Sequence, residues 1–249
     1  MSKIQLSFFS QALEMNTSLT VLVPDDLKKN EQLRPFYVLH GYNGDHQDWT
    51  RLTAIERYLR NRRVCVIMPS GFNAYYTDHV VGLQYYTYFT KELVPFVENL
   101  FPVQKEAYIL GLSMGGYGAL KFALSNPKKF VKAVSLSGVM NPDFIRAIPW
   151  MAHRLPQFDL MFGKKTTGKN DLRHLVEKNL TSNRMPELLL TCGDQDFLIE
   201  DNRSFEQFLK EKQVPHTFIF DDGEHNWDYW DRGIQKVLPW LFNEEKHSI

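Results

Sequence analysis

Cysteine is scarce in this 249-residue chain, long apolar runs are missing, and neither sign of charge prevails. The two cysteines, Cys65 and Cys192, each fall inside a strand-like segment. A lone pair in a chain this long is no disulfide framework, so buried, reduced thiols are expected. No stretch approaches the roughly 18 consecutive apolar residues of a membrane span. The segment Met1 to Ser10 alternates polar and apolar residues and lacks a signal-peptide cleavage pattern. Both features lead to the expectation of a cytoplasmic protein that does not engage membranes. Lys and Arg together number 29, as do Asp and Glu, which removes any chain-wide electrostatic reason to bind nucleic acid. A small molecule is the expected partner, and self-association is left open. Repeats, low-complexity tracts and Gly/Ser/Pro-rich linkers are also missing, so residues 1–249 read as a single domain.

What is present is an alternation of short apolar runs with helix-length segments. Ile4 to Phe9 and Ser18 to Val23 read as two antiparallel strands. Phe36 to Leu39, Val64 to Met68, Ala107 to Leu110, Val131 to Leu136, Glu187 to Thr191 and Thr217 to Phe220 read as further strands. Helices are expected near Thr53–Arg60, Leu83–Leu100, Gly115–Ser125, Asp201–Lys212 and Asp228–Phe242. Strands alternating with helices predict an α/β class: a mostly parallel sheet covered on both faces. The connection over about 139–185 is longer than a crossover needs and rich in Phe, Trp and Met. It reads either as helices patching the sheet edge or as a cap over a site.

The most specific local signal is Tyr108-Ile109-Leu110-Gly111-Leu112-Ser113-Met114-Gly115-Gly116, a strand running into Gly-x-Ser-x-Gly and directly into a helix. A serine at such a turn is lifted clear of the sheet, and the flanking glycines admit the close approach of strand and helix. A hydroxyl is a poor nucleophile at neutral pH and needs a base, which in turn needs an acid to orient it. In this topology they follow in the order serine, acid, histidine, each beyond a strand end. Leu188 to Thr191 leads into Cys192-Gly193-Asp194-Gln195-Asp196, and Phe218 to Phe220 leads into Asp221-Asp222-Gly223-Glu224-His225. Of the eight histidines, only His225 follows both preceding elements and sits just past a strand: His216 precedes its strand, and His247 lies in the tail. Asp196 is favoured over Asp194, which is suited to capping the turn after Gly193. The amide of Met114 and that of Tyr42, in the loop His40-Gly41-Tyr42-Asn43-Gly44, are the candidate oxyanion donors; His40 itself reads as a structural residue holding that loop. Trp49, Tyr75, Tyr76 and Trp150 are candidate pocket residues. Two clusters, His40/Asp45/His46/Asp48 and Asp221/Asp222/Glu224/His225, lack a recognised metal-ligand spacing and read as charged loops.

These residues resemble the esterase D-like serine esterases, most closely their bacterial tributyrin (acetyl) esterases, which are related to feruloyl esterases and S-formylglutathione hydrolases. The resemblance covers nearly the whole chain. It rests on Leu39-His40-Gly41-x-x-Gly44, Ala74-Tyr75-Tyr76-Thr77-Asp78, Gly111-Leu112-Ser113-Met114-Gly115-Gly116-Tyr117-Gly118-Ala119, Cys192-Gly193-x-x-Asp196-Phe197-Leu198 and Gly223-x-His225-x-Trp227-x-x-Trp230. It implies an α/β-hydrolase fold, no cofactor, and hydrolysis of short-chain acyl esters by Ser113, Asp196 and His225 through an acyl-enzyme. S-formylglutathione hydrolases usually carry a Ser-Gly-Leu-Thr-Cys-like run where this chain has His40 to Gly44, which weighs against a thioesterase. An acyltransferase would use the same triad with an acceptor alcohol, whereas a non-catalytic binding protein would normally lack a triad member.

Overall fold

The computed structural model describes residues 1–243, which leaves His247 outside the described residues. Eight strands form one sheet: β1 (Ser2–Ser10), β2 (Met15–Val23), β3 (Arg34–Leu39), β4 (Val64–Pro69), β5 (Ala107–Leu112), β6 (Phe130–Leu136), β7 (Glu187–Gly193) and β8 (Thr217–Asp221). Their spatial order is β1-β2-β4-β3-β5-β6-β7-β8. The pairs β1/β2 and β2/β4 are antiparallel, and the remaining pairs are parallel. This is the mostly parallel α/β sheet expected from the alternation of elements, in the α/β-hydrolase arrangement that the family resemblance implied. The central parallel strands β3 to β7 are almost wholly buried because helices cover both faces, so they read as continuous apolar runs in place of an alternation.

Helices α1 (Asp48–Leu52) and α2 (Ile55–Leu59) follow β3. Before β5 come α3 (Tyr85–Thr87), a wider turn over Tyr88–Leu93, and α4 (Val94–Leu100), where one continuous helix was expected. Pro95 explains the interruption: it has no N–H to donate, and its ring crowds the preceding turn. Helix α5 (Met114–Ser125) leaves the serine directly. The long connection holds α6 (Pro142–Arg146), a 3-10 turn Pro149–Arg154, α7 (Leu155–Phe162), a second 3-10 turn Gly168–Asn170, and α8 (Leu172–Ser182). Helices α9 (Ile199–Glu211) and α10 (Trp227–Leu241) follow the last two strands. One apolar layer packs Tyr37, Phe89, Phe122 and Phe130 beneath α5, and the other packs Phe36, Leu59, Ile234 and Leu238 beneath α2 and α10. No helix of the described residues is long and apolar enough to cross a membrane. Cys65 and Cys192 are buried and unpaired, and burial pushes the Cys65 thiol up to about 12 and that of Cys192 higher still. Both are inert protonated core residues at neutral pH.

The crossing of β5 and α5 leaves no room for side chains. A Cβ on Gly111 would overlap the Gly115 carbonyl, and one on Gly115 would overlap the backbone of Leu39 and His40. Gly111→Ala is therefore expected to cost about 1–3 kcal/mol through overpacking, read as a lower urea midpoint, and to lower turnover by displacing Ser113. An unchanged midpoint would show that the crossing is looser than described.

Candidate active site

Ser113 occupies the single residue between β5 and α5, with φ 53° and ψ −119°. That strained backbone is held from outside, because the Ser113 amide donates to the Leu136 carbonyl at 2.9 Å and the Ser113 carbonyl accepts from Val139 at 3.2 Å. Its hydroxyl lies 2.9 Å from His225 Nε2. The other ring nitrogen, Nδ1, lies 2.8 Å and 3.0 Å from the two carboxylate oxygens of Asp196. Asp196 is buried, with 1% of its surface exposed, and it also accepts the Leu198 amide at 2.9 Å. Nδ1 therefore donates to the carboxylate, leaving Nε2 to accept the serine proton. Asp194 does not reach the imidazole: it is exposed and accepts the Gly223 amide at 3.3 Å, tying the β7 loop to the β8 loop.

Tyr42 and Met114 flank the serine. Among the described residues, neither amide donates a hydrogen bond to another group, and the Met114 amide belongs to the unsatisfied first turn of α5, where the helix dipole favours negative charge. His40 is buried, and burial lowers its pKa, with the Gly41 carbonyl opposing. Its ring donates from Nδ1 to the Gly41 carbonyl at 2.6 Å and accepts the Gly71 amide at Nε2 at 2.8 Å, so it holds the loop.

Ser113 and His225 open onto a cavity of about 360 Å³, walled by Tyr42, Trp150, Met151, Phe197 and the indoles of Trp227 and Trp230, with Asp48, Arg51 and Arg154 as its charged groups. Trp150 lies on that wall as expected, 60% exposed at the mouth and edge-on to Phe197. The other three aromatic expectations require correction. Trp49, Tyr75 and Tyr76 are buried in the core and do not line the cavity. Trp49 donates to the Leu39 carbonyl at 3.1 Å and Tyr76 to the His40 carbonyl at 3.0 Å, while Tyr75 packs edge-on against Phe158 and Phe162 of α7. The polar atoms of Trp49 and Tyr76 are drawn to carbonyls beneath the loop, and the ring of Tyr75 to those of α7, which settles their direction. Trp227 and Trp230 went unassigned in the sequence although their spacing of three beyond His225 places both on one face of α10. Arg154, one of four arginines in the long connection, carried no signal.

The two loop clusters have local partners. Asp48 pairs with Arg51 at 2.9 Å, His46 bonds Thr20 at 2.8 Å, and Asp221 meets Tyr229 and Lys236. Asp201, on α9, is more telling, since one of its oxygens accepts the amides of Met140 and Asn141 at 2.7 and 3.1 Å where the long connection leaves the sheet. Burial raises its pKa to about 7, against the lowering effect of those two amides.

Fold and geometry together define a hydrolase with a serine, histidine and aspartate aligned at the carboxyl edge of a parallel sheet. A model of the putative esterase family matches residues 10–241, and the chain belongs to that family. It is 31% identical over 97% of its length to an acetyl esterase of Caldicellulosiruptor saccharolyticus, 98% of which is covered. It is similar in structure to fluorophosphonate-binding serine hydrolase F of Staphylococcus aureus, at 32% identity and a TM-score of 0.87, over 96% of this chain and 98% of that one. An S-formylglutathione hydrolase of the same organism matches at 32% identity and a TM-score of 0.84, with the same coverage. The protein is a carboxylic ester hydrolase.

Two measurements test the geometry. Asp196→Asn should lower turnover by up to about 10⁴-fold, because an amide holds the wrong imidazole tautomer, whereas Asp194→Asn should have a much smaller effect; the opposite ranking would reassign the acid. Asp201 bears on stability. With a folded pKa of about 7 and an unfolded one near 3.9, the folded state binds more protons between those values, so its contribution falls as pH rises through that window and is flat above it. Asp201→Asn keeps a side-chain oxygen for both amides without the charge, so its stability relative to wild type should increase from pH 4 to pH 8 in chemical denaturation. A pH-independent difference would contradict the raised pKa.

Proposed function

We propose that the enzyme hydrolyses short-chain acyl esters, acetyl to butyryl and with aromatic acyl groups as further candidates, through an acyl-enzyme on Ser113. The observation that carries this reading is the continuous hydrogen-bonded line Ser113–His225–Asp196 opening onto a cavity beside two unpartnered amides. Ser113 Oγ attacks the ester carbonyl while His225 Nε2 takes its proton, and Asp196 steadies the imidazolium. The negative oxygen of the tetrahedral intermediate accepts from the Tyr42 and Met114 amides; losing one such donor typically costs about 3–4 kcal/mol of transition-state stabilisation. Collapse breaks the bond to the alcohol oxygen, which leaves with the proton from Nε2. Water, deprotonated by the same nitrogen, then attacks the acyl carbon and restores the serine.

The aromatic wall supports the short-chain preference. Each methylene that fits against it contributes about 0.8 kcal/mol, and a chain that no longer fits must displace packed side chains. The similarity to an S-formylglutathione hydrolase keeps a thioester among the substrates to be compared. The expected result for a panel from acetate to octanoate, with a feruloyl ester and a glutathione thioester, is kcat/KM rising to about butyrate and then falling. Trp150→Ala should move the maximum to longer chains. A fluorophosphonate should label Ser113, and Ser113→Ala should fold normally and lose roughly 10⁶-fold in kcat. A steady rise through octanoate would indicate an open groove, and ordinary turnover in Ser113→Ala would overturn the mechanism.

A further inference from the structure

The cavity at Ser113 is lined by Asp48, Arg51 and Arg154, and two of these charges cancel: Arg51 is paired with Asp48 at 2.9 Å. Arg154 has no such partner. Among the described residues it makes no ion pair and no hydrogen bond, and its Nε is buried without an acceptor. Its guanidinium instead lies 4.0 Å from the ring centroid of Tyr42, and the Tyr42 hydroxyl donates to Gln157 of α7, which fixes the ring beneath it. The contrast with Arg146, in the same connection, is direct: that guanidinium is saturated by Asp143, Asp159 and the Gly163 carbonyl. A cation stacked by its face on an aromatic ring keeps its in-plane N–H donors for another ligand, and the planar fork matches a carboxylate in a bidentate arrangement. The residue beneath it, Tyr42, also supplies one of the two amides beside Ser113, so the charge stands at the reacting end of the cavity.

We infer that Arg154 is a specificity residue and that the preferred substrate is an ester bearing a carboxylate, which Arg154 binds while Ser113 attacks the ester carbonyl. This rests on the short-ester reading above and narrows it from neutral esters to anionic ones. The carboxylate has two places to reside, on the acyl arm or on the alcohol arm. Three esters of similar size separate them: ethyl butyrate (neutral), monoethyl succinate (carboxylate on the acid) and O-butyryl glycolate (carboxylate on the alcohol).

In wild type, one of the two anionic esters should exceed ethyl butyrate in kcat/KM by roughly tenfold to a hundredfold, the range expected of a charge-assisted hydrogen bond, mainly through KM and less so at high salt. Arg154→Met should lose at least tenfold more on that ester than on ethyl butyrate. Arg154→Lys, which keeps the charge without the fork, should retain part of the preference. The identity of the favoured anionic ester tells which arm meets the arginine. A wild-type enzyme that prefers the neutral ester, or an Arg154→Met variant that changes all three alike, would overturn the inference. Binding of the same intact esters to Ser113→Ala, with and without Arg154→Met, is read by calorimetry. An anion preference there that disappears with the arginine supports the inference even if no ester is turned over, in which case it is the esterase reading that has failed; equal affinities in the two variants would overturn the inference.

Discussion

The site depends on one constrained turn. Ser113 holds a left-handed backbone at the end of a central strand because the amide and carbonyl of that residue are both used by β6 and the loop beyond it. The conformation is costly for a residue with a Cβ, and it persists only because the strand before it and the helix after it are already committed. Parallel pairing does the rest. With Leu39 opposite Gly111, Leu112 opposite Leu136, and Gly193 opposite Asp221, strands β3, β5, β6, β7 and β8 all end on one edge. Residues 113, 196 and 225, far apart in the chain, come within hydrogen-bond distance because each lies just beyond such an end.

Rigidity of the loop after β3 comes from beneath. His40, its pKa lowered by burial, bridges Gly41 and Gly71, Trp49 reaches the Leu39 carbonyl, and Tyr76 reaches the His40 carbonyl. These bonds tie side chains to backbone groups of the loop and the strand end before it. Two of the aromatic residues expected to touch substrate, Trp49 and Tyr76, thus hold the strand end from which the loop carrying Tyr42 departs.

The long connection is tied to the elbow helix by a buried polar knot. Lys121, on α5, donates to Thr77 and to Asn170, and Tyr117, also on α5, donates to the Asn170 carbonyl. Burial lowers the Lys121 pKa well below its usual value, and its two oxygen partners offset part of the desolvation cost. At the other end, Asp201 and Asn202 of α9 grip the chain at Gly138, Met140 and Asn141 as it leaves β6. Between these anchors the connection brings Trp150, Met151 and Arg154 to the cavity wall.

The eight strands and the position of the serine elbow were legible in the sequence because each is governed by local rules: apolar run length, turn glycines, and the order in which strand ends must follow one another. Asp196 was legible in the same way, by its distance beyond a strand end. The division of the helix before β5 was less so, since Pro95 widens a turn without ending the helix. Direction of side chains was not legible. Trp49, Tyr75 and Tyr76 sit in loops where either a wall or a core position satisfies the local pattern, and only the location of acceptor carbonyls and of α7 turned them inward. The same holds for Arg154: composition makes it one basic residue among 29, and only the packing of the long connection against the loop after β3 stacks it on Tyr42. Chain-local chemistry determined the fold and the placing of Ser113, Asp196 and His225 beyond strand ends, whereas the walls of the cavity were decided by tertiary contacts between segments that can lie more than a hundred residues apart, for which the sequence carries no periodicity.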